Sequence, residues 1–357
     1  MNVRLAALAC FVLMTIASRA DRLVLVAGGG AKVDDAPAIE TKLTAPFGVT
    51  FDAADNLYLV EMAGGERVRK MGRDGVVHII AGTGMKGFAG DGGTWTAAQF
   101  NGMHSLAALP NGELFLADTW NQRIRHLDPT TGRVSTLAGT GEKGFRGDGG
   151  PARQAQFGSL YCASLDPQHE NLYLADLDNR RIRAVNLKTG LVRTVAGNGK
   201  RGAPADGAAA TNAPLIDPRA VAVDQPGNVY VLEREGHALR VVTPDGNIRT
   251  VVGTGARGDS GDGGPARSAT LNGPKHLCID RDGSVVIADT ENHLIRRYTP
   301  RDGRITRVAG SGRKGSAGVP GPALEAELNQ PHGVAVGPGG LLYIVDSSNH
   351  RVLRLEK

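Results

Sequence analysis

"LFLADTWNQRIRHLDPTTGRVSTLAGTGEKGFRGDGGPA", residues 114–152, sets three short apolar runs between polar corners and ends in a glycine-rich tract. That tract holds Gly139-x-Gly141-x-x-Gly144, the spacing of a dinucleotide-binding loop. In a Rossmann unit such glycines open a helix whose N-terminal amides receive the pyrophosphate. No helical pattern follows here. The motif also recurs at Gly82, Gly197, Gly253 and Gly310, about every 57 residues. A phosphate loop has no reason to repeat in this way, whereas a structural corner does.

The flanks repeat as well. "LYLADLDNRRIRAVNLKTGLVRTVAGNG" (172–199) and "VVIADTENHLIRRYTPRDGRITRVAGSG" (285–312) align with 114–141; 57–84 and 229–255 are looser copies, and "LYIVDSSNHRVLRLEK" ends the chain. A further short apolar run, such as "GVAV", precedes each copy. Each unit therefore reads as four strands, A to D, joined by turn residues. Four-stranded antiparallel units at a fixed period predict an all-β, six-bladed β-propeller. The last unit stops after strand C, and "LVLVAGGG" (23–30) has the form of a strand D. The N-terminal strand is expected to complete the last blade and close the ring.

Residues 1–20 differ from the rest. A basic start, the apolar run "LAALACFVLMTIA" and "SRA" ending at Ala20 predict a secretory signal peptide. Residues 21–357 are then a single propeller domain, secreted or periplasmic, monomeric and without a membrane span. The formal charge of +5 falls to +3 once Arg4 and Arg19 leave, too small a balance to argue for nucleic acid. Cys162 and Cys278 fall on inner strands of the third and fifth blades, too far apart to bridge.

The "YLADxxNxRIR" core, the "GDGGPA" tract and "PHGVAV" together resemble NHL repeats, and the resemblance spans residues 23–357. It implies the propeller fold. Its functional implications are broad, from protein- and RNA-binding modules and adhesion ectodomains to a zinc-dependent lyase of peptidyl-hydroxyglycine.

In such a blade the D–A and B–C connections share one face. The D–A connections are long, and function is expected there. Strand A lines the central channel, and its first residue should rim that face: Phe47, His104, Tyr161, Arg219, Lys275 and His332. Neighbouring positions repeat Gly, Val and Ala, so a large polar or aromatic ring is not ordinary core. His104 and His332 could ligate a metal through imidazole nitrogen. The resemblance implies zinc-ligating histidines at this position in alternate blades, with Tyr161 as an assisting channel tyrosine. Arg219 stands where the third histidine belongs, and His276 substitutes only if its strand is shifted by one residue. Arg219 and Lys275 instead suit an anionic ligand such as a carboxylate or sulfate.

Other repeated groups read as structural. Asp118, Asp176, Asp289 and Asp346, with Glu61 and Glu233 in the other blades, end strand B, and an arginine such as Arg123, Arg181 or Arg351 is their expected partner. Asp91, Asp148 and Asp262 supply one carboxylate per loop, too few for calcium. Phe157 and Leu328 are expected to plug gaps between blades. Trp95 and Trp120 are placed near the candidate face as recognition residues. The expectation is thus a non-enzymatic scaffold that needs no cofactor and binds an extracytoplasmic protein, peptide or glycan, or a small anion. The alternative is a metal-dependent lyase or hydrolase using His104 and His332.

Overall fold

The computed structural model describes residues 21–357, so the leader expected at 1–20 lies outside the described residues. Six antiparallel sheets surround a central axis. Strand A of successive blades is Pro46–Phe51, Met103–Ala108, Leu160–Leu165, Pro218–Val223, His276–Ile279 and Pro331–Val336. In the second blade the remaining strands are Leu114–Asp118, Arg123–Asp128 and Arg133–Ala138. The last blade is closed by Arg22–Gly28, which pairs antiparallel with Arg351–Glu356 from Arg22 opposite Glu356 to Gly28 opposite Arg351. The six-bladed, four-stranded architecture and its N-terminal closure are as the repeats predict.

The glycine tract is a left-handed exit from strand D. Gly139 and Gly141 have φ of +96° and +87°, and a Cβ on Gly139 would lie 2.2 Å from the Gln122 carbonyl. The third glycine is fastened to the next blade: Asn179 Nδ2 donates to the Gly144 carbonyl at 2.7 Å and to Asp176 at 2.8 Å. Asn121, Asn292 and Asn349 hold Gly87, Gly258 and Gly315 in the same way. The strand-B acid meanwhile accepts a backbone N–H from the chain entering its blade, as Asp176 does from Gly158 at 2.7 Å and Glu233 from Ile216 at 2.6 Å.

The partner of these acids differs from the expected one. Arg125, Arg183 and Arg296, two residues further along strand C, are wholly buried. They bind the "GDGG" aspartates Asp91, Asp148 and Asp262 at 2.8, 2.6 and 2.9 Å. Arg125 and Arg296 also reach Asp118 and Asp289. Arg123 and Arg181 lie on the same face of the strand, one step nearer the B–C corner, and donate to backbone carbonyls instead. Only Arg351 keeps the predicted pairing, 2.8 Å from Asp346.

The D–A connections are also used differently. Each runs over the outer edge of strand D in the blade it enters: Ala36–Pro37, Ala208–Ala209 and Gly321–Pro322 as two-residue strands, Thr94, Pro151 and Pro265 as single bridges. They cover an edge that would otherwise offer unpaired amides to other chains. Each then returns inward through Leu43, Phe100, Phe157, Leu215, Leu271 or Leu328, all buried between blades. The plugs foreseen at Phe157 and Leu328 therefore recur in every blade.

Candidate functional site

Five of the six A strands begin with a register irregularity, between Pro46 and Val49, Met103 and Ser105, Leu160 and Cys162, Pro218 and Ala220, and Pro331 and Gly333. Each irregularity contains the ring residue of its blade, accompanied in the first by Gly48. A bulge re-aims a side chain that a regular ladder would send between sheets. In the fifth blade the ladder starts at His276, directly after Lys275.

The ring residues meet across blades. Phe47 lies between the two histidines, with its ring centroid 5.2 Å from His104 and 4.1 Å from His332. His104 meets Tyr161 edge-on at 4.5 Å, and the Arg219 guanidinium lies 4.2 Å from the Tyr161 ring centroid. Lys275 is paired with Glu291 at 2.7 Å. Trp120 borders this group, 5.7 Å from His104. Trp95 does not join it; its indole donates to the Arg133 carbonyl at 3.0 Å, over strand D.

Both ring histidines are neutral. Their Nδ1 atoms lie 2.7 and 2.8 Å from the Gly102 and Gln330 carbonyls, which fixes Nδ1 as the protonated nitrogen and leaves Nε2 with its lone pair. Burial first, and then the charges of Arg219 and Lys275, hold both well below the ordinary imidazole range. Arg219 is 4% exposed. Its one hydrogen bond runs from Nη1 to the Tyr161 carbonyl at 3.4 Å, and Nε has none. Nearby Asp217 is taken by Arg234 at 2.7 Å. Burial draws the Arg219 pKa down to about 10, so the guanidinium remains charged at neutral pH.

These donors do not fit a catalytic zinc, which needs three protein ligands and an open position. A protonated arginine occupies the third place. His276 is not shifted into it: it pairs opposite Ala288, level with Ser105 and Cys162 below the ring, and its Nδ1 accepts the Val334 N–H at 3.4 Å. Among the described residues no group of three His, Cys, Asp or Glu gathers in a metal-holding cluster. The "GDGG" carboxylates are committed to arginine. Cys162 and Cys278 are both free thiols, and burial pushes Cys278 up to about 12.

An open cavity lies on the other side of the ring. A cavity of about 1,160 Å³ follows the A strands to the A–B turns, between Val49, Leu106, Ala163, Val221, Leu277 and Val334, one from each blade. The sequence carried a signal for this wall in the small apolar residues after each ring position. Attention to the long D–A loops directed the reading to the opposite face.

Residues 154–259 match the teneurin NHL domain, and residues 271–298 and 328–355 match the NHL repeat. The chain is an NHL-repeat β-propeller. It is 26% identical over 342 residues to NHL repeat-containing protein 2 of Bos taurus, covering 87% of this chain and 46% of that protein. The chain spans less than half the length of the curated relatives it matches first. Among solved structures, an auxiliary nutrient binding protein from Bacteroides ovatus superposes with a TM-score of 0.69 at 16% identity, covering 95% of this chain and 77% of that one. A streptogramin B lyase gives a TM-score of 0.55 at 12% identity, covering 94% and 98%. At such identities the likeness is of fold. No helix among the described residues is long and apolar enough to cross a membrane.

Proposed function

We propose that this NHL-repeat propeller is a non-enzymatic binding protein acting outside the cytoplasm, and that the ring at the D–A/B–C end of its channel receives an anionic group of its ligand. The proposed location rests on the leader-like first twenty residues. The observation that carries the binding site is Arg219, a buried guanidinium without a carboxylate partner or a bond at Nε. A buried charge left unpaired costs several kcal/mol, which an anion would offset. The neutral histidines and aromatic rings beside it add no competing negative charge. A fold shared by binding proteins and lyases does not choose between them, so the donors must. Two imidazoles beside a cation favour an anion over a metal.

The test uses residues 21–357 purified without a metal-affinity tag. Sulfate or acetate, at constant ionic strength, should raise the Tm of the parent and not of Arg219→Met, which keeps the bulk of the side chain without its charge. Metal analysis belongs in the same experiment. Near-stoichiometric zinc, abolished by His104→Ala and by His332→Ala, would overturn the proposal in favour of the metal-dependent lyase or hydrolase.

A further inference from the structure

The junction between the third and fourth blades lacks a bond that the other junctions make. In four of them the left-handed residue closing the B–C corner, Glu66, His237, His293 or His350, accepts an N–H from the next blade. In the junction after Gln122, Asp178 accepts the Ser159 N–H instead. Arg180 closes the corner of the third blade, and a guanidinium has no acceptor to offer. The N–H that it faces in the repeat belongs to Asp217, left-handed at φ +54° like Ala45, Gly102, Gly273 and Gln330, the donors of the four ties. Among the described residues that N–H has no acceptor. A cavity of about 390 Å³ opens here, within the range of small-molecule sites. Leu177, Asp178 and Arg180 line it from the third blade, and Asp217 and Glu235 from the fourth. Lys143 and Arg201, each standing before the third glycine of its glycine tract, complete the wall.

The charges around this cavity are unevenly committed. Lys143 holds Asp178 at 2.8 Å, and Arg234 holds Asp217 at 2.7 Å. Among the described residues Arg180 and Arg201 have no acidic partner. Glu235, with its side chain 55% exposed, lies 3.7 Å from Arg234, beyond hydrogen-bond reach. The uncommitted groups are thus two guanidiniums, one backbone donor and one carboxylate. We infer that this junction binds a small zwitterion, an aliphatic α-amino acid, whose carboxylate takes the place of the missing acceptor on Arg180, Arg201 and the Asp217 N–H while its ammonium group meets Glu235. Guanidinium forks and a backbone N–H are the donors that a carboxylate matches best. The ammonium group is needed because Asp178, Asp217 and Glu235 repel a bare anion, so acetate or sulfate alone does not fill this site. Leu177, the one apolar residue of the wall, gives an aliphatic side chain its contact. None of the lining residues belongs to the ring, so the site stands apart from the one proposed there.

The experiment is calorimetric titration of residues 21–357 with L-alanine, L-valine and L-leucine, and with two analogues of leucine. Of these, 4-methylpentanoate has no ammonium group and 3-methylbutylamine has no carboxylate. Leucine should bind, and each analogue should bind about tenfold more weakly or worse, having lost one of the two charged contacts. Arg180→His supplies the residue that closes three other corners. It should abolish leucine binding and, by restoring the tie to the Asp217 N–H, melt above the parent in the absence of ligand. Arg201→Gln leaves the junction untied and should weaken leucine by about tenfold; it is the second variant should the first not fold. Binding of 4-methylpentanoate as tight as that of leucine, and lost in Arg180→His, would make this a plain anion site and overturn the inference. Leucine binding indifferent to both substitutions would place the amino acid elsewhere and overturn it as well. So would the failure of all three amino acids to bind.

Discussion

In the second, third and fifth blades a buried arginine holds the D–A connection to its blade. Arg183 is wholly buried, contacting Asp148 at 2.6 Å, the Gln156 carbonyl at 2.8 Å and Asp176 at 3.8 Å. Truncating it leaves two carboxylates facing a cavity, so Arg183→Ala should cost about 3–5 kcal/mol in urea unfolding. Arg181→Ala, which removes a partly exposed side chain bonded to two carbonyls, should cost about 1 kcal/mol. Equal losses would return the structural role to the position expected from sequence. The glycine tract gives a second contrast. Gly139 and Gly149 both have positive φ, but only Gly139 has backbone, the Gln122 carbonyl, where a Cβ would go; nothing lies within 4 Å of one on Gly149. Gly139→Ala should therefore lower the Tm well beyond Gly149→Ala, whose cost is confined to the left-handed backbone, about 1 kcal/mol. A pair with equal Tm values would show that the repeated motif is not a packing corner.

At the scale of the element, the B–C corners tie neighbouring blades together. His237, His293 and His350 sit in left-handed conformation, and their Nδ1 atoms accept backbone N–H groups from Gly273, Gln330 and Ala45 of the following blade at 3.2, 3.1 and 3.2 Å. Glu66 fills the same place with its carboxylate, bonded to the Gly102 N–H at 3.0 Å. An imidazole that accepts at Nδ1 must be neutral, and burial holds His237 and His293 below the ordinary value of 6.5. The unfolded chain takes up protons that the folded one refuses, so this stabilisation is present above pH 6.5 and is lost as pH falls through that value. Buried aspartates work the other way: burial pushes Asp118, Asp176 and Asp289 up to about 6, so the folded state gains protons there as pH falls. Replacing the two histidines by asparagine isolates the corner effect, because asparagine tolerates the left-handed backbone, can accept through its amide oxygen and does not titrate. His237→Asn/His293→Asn should match the parent in urea at pH 7.5 and become the more stable protein by pH 5.5. A difference that stays constant across that range would remove the corners from the acid response. These ties escaped the sequence reading because the histidines hold different places in the repeat consensus from the ring residues and their partners are backbone amides. Strand alternation and turn chemistry were legible because period and glycine placement encode them locally. The edge-covering path of the D–A connections was not, because it depends on pairing with a strand some forty residues later, as Thr94 does with Arg133.

The whole molecule depends on joining its two ends. Closure was legible because a last unit lacking strand D and a strand-D-like segment at residues 23–30 make a complete blade. The ring positions were likewise recoverable by aligning the repeats, since a column of large polar and aromatic residues precedes mostly small or apolar ones. The contacts that Phe47, Tyr161 and Arg219 make within the ring were not, because they form only between side chains of different blades once the ring is assembled. The closure can be tested by itself. Arg22–Gly28 buries Leu23 and Ala27, at 0% and 2% exposure, and covers the edge of Arg351–Glu356. The Asp21 carbonyl accepts from the Ala323 N–H at 2.8 Å, so the connection entering the last blade is anchored to the closing strand's lead-in. Removing residues 21–29 leaves that blade three-stranded, with Leu353 and Leu355 uncovered and a long unpaired edge open to other copies. The shortened protein should melt at least ten degrees lower and elute as larger species in size-exclusion chromatography. A synthetic peptide of residues 21–30, added in excess, should restore both properties by mass action on the vacant edge. Restoration by a peptide with Leu23 and Ala27 changed to serine would show that edge pairing alone suffices. Restoration by the native peptide only would show that closure depends on seating those two side chains between the last blade and its neighbours.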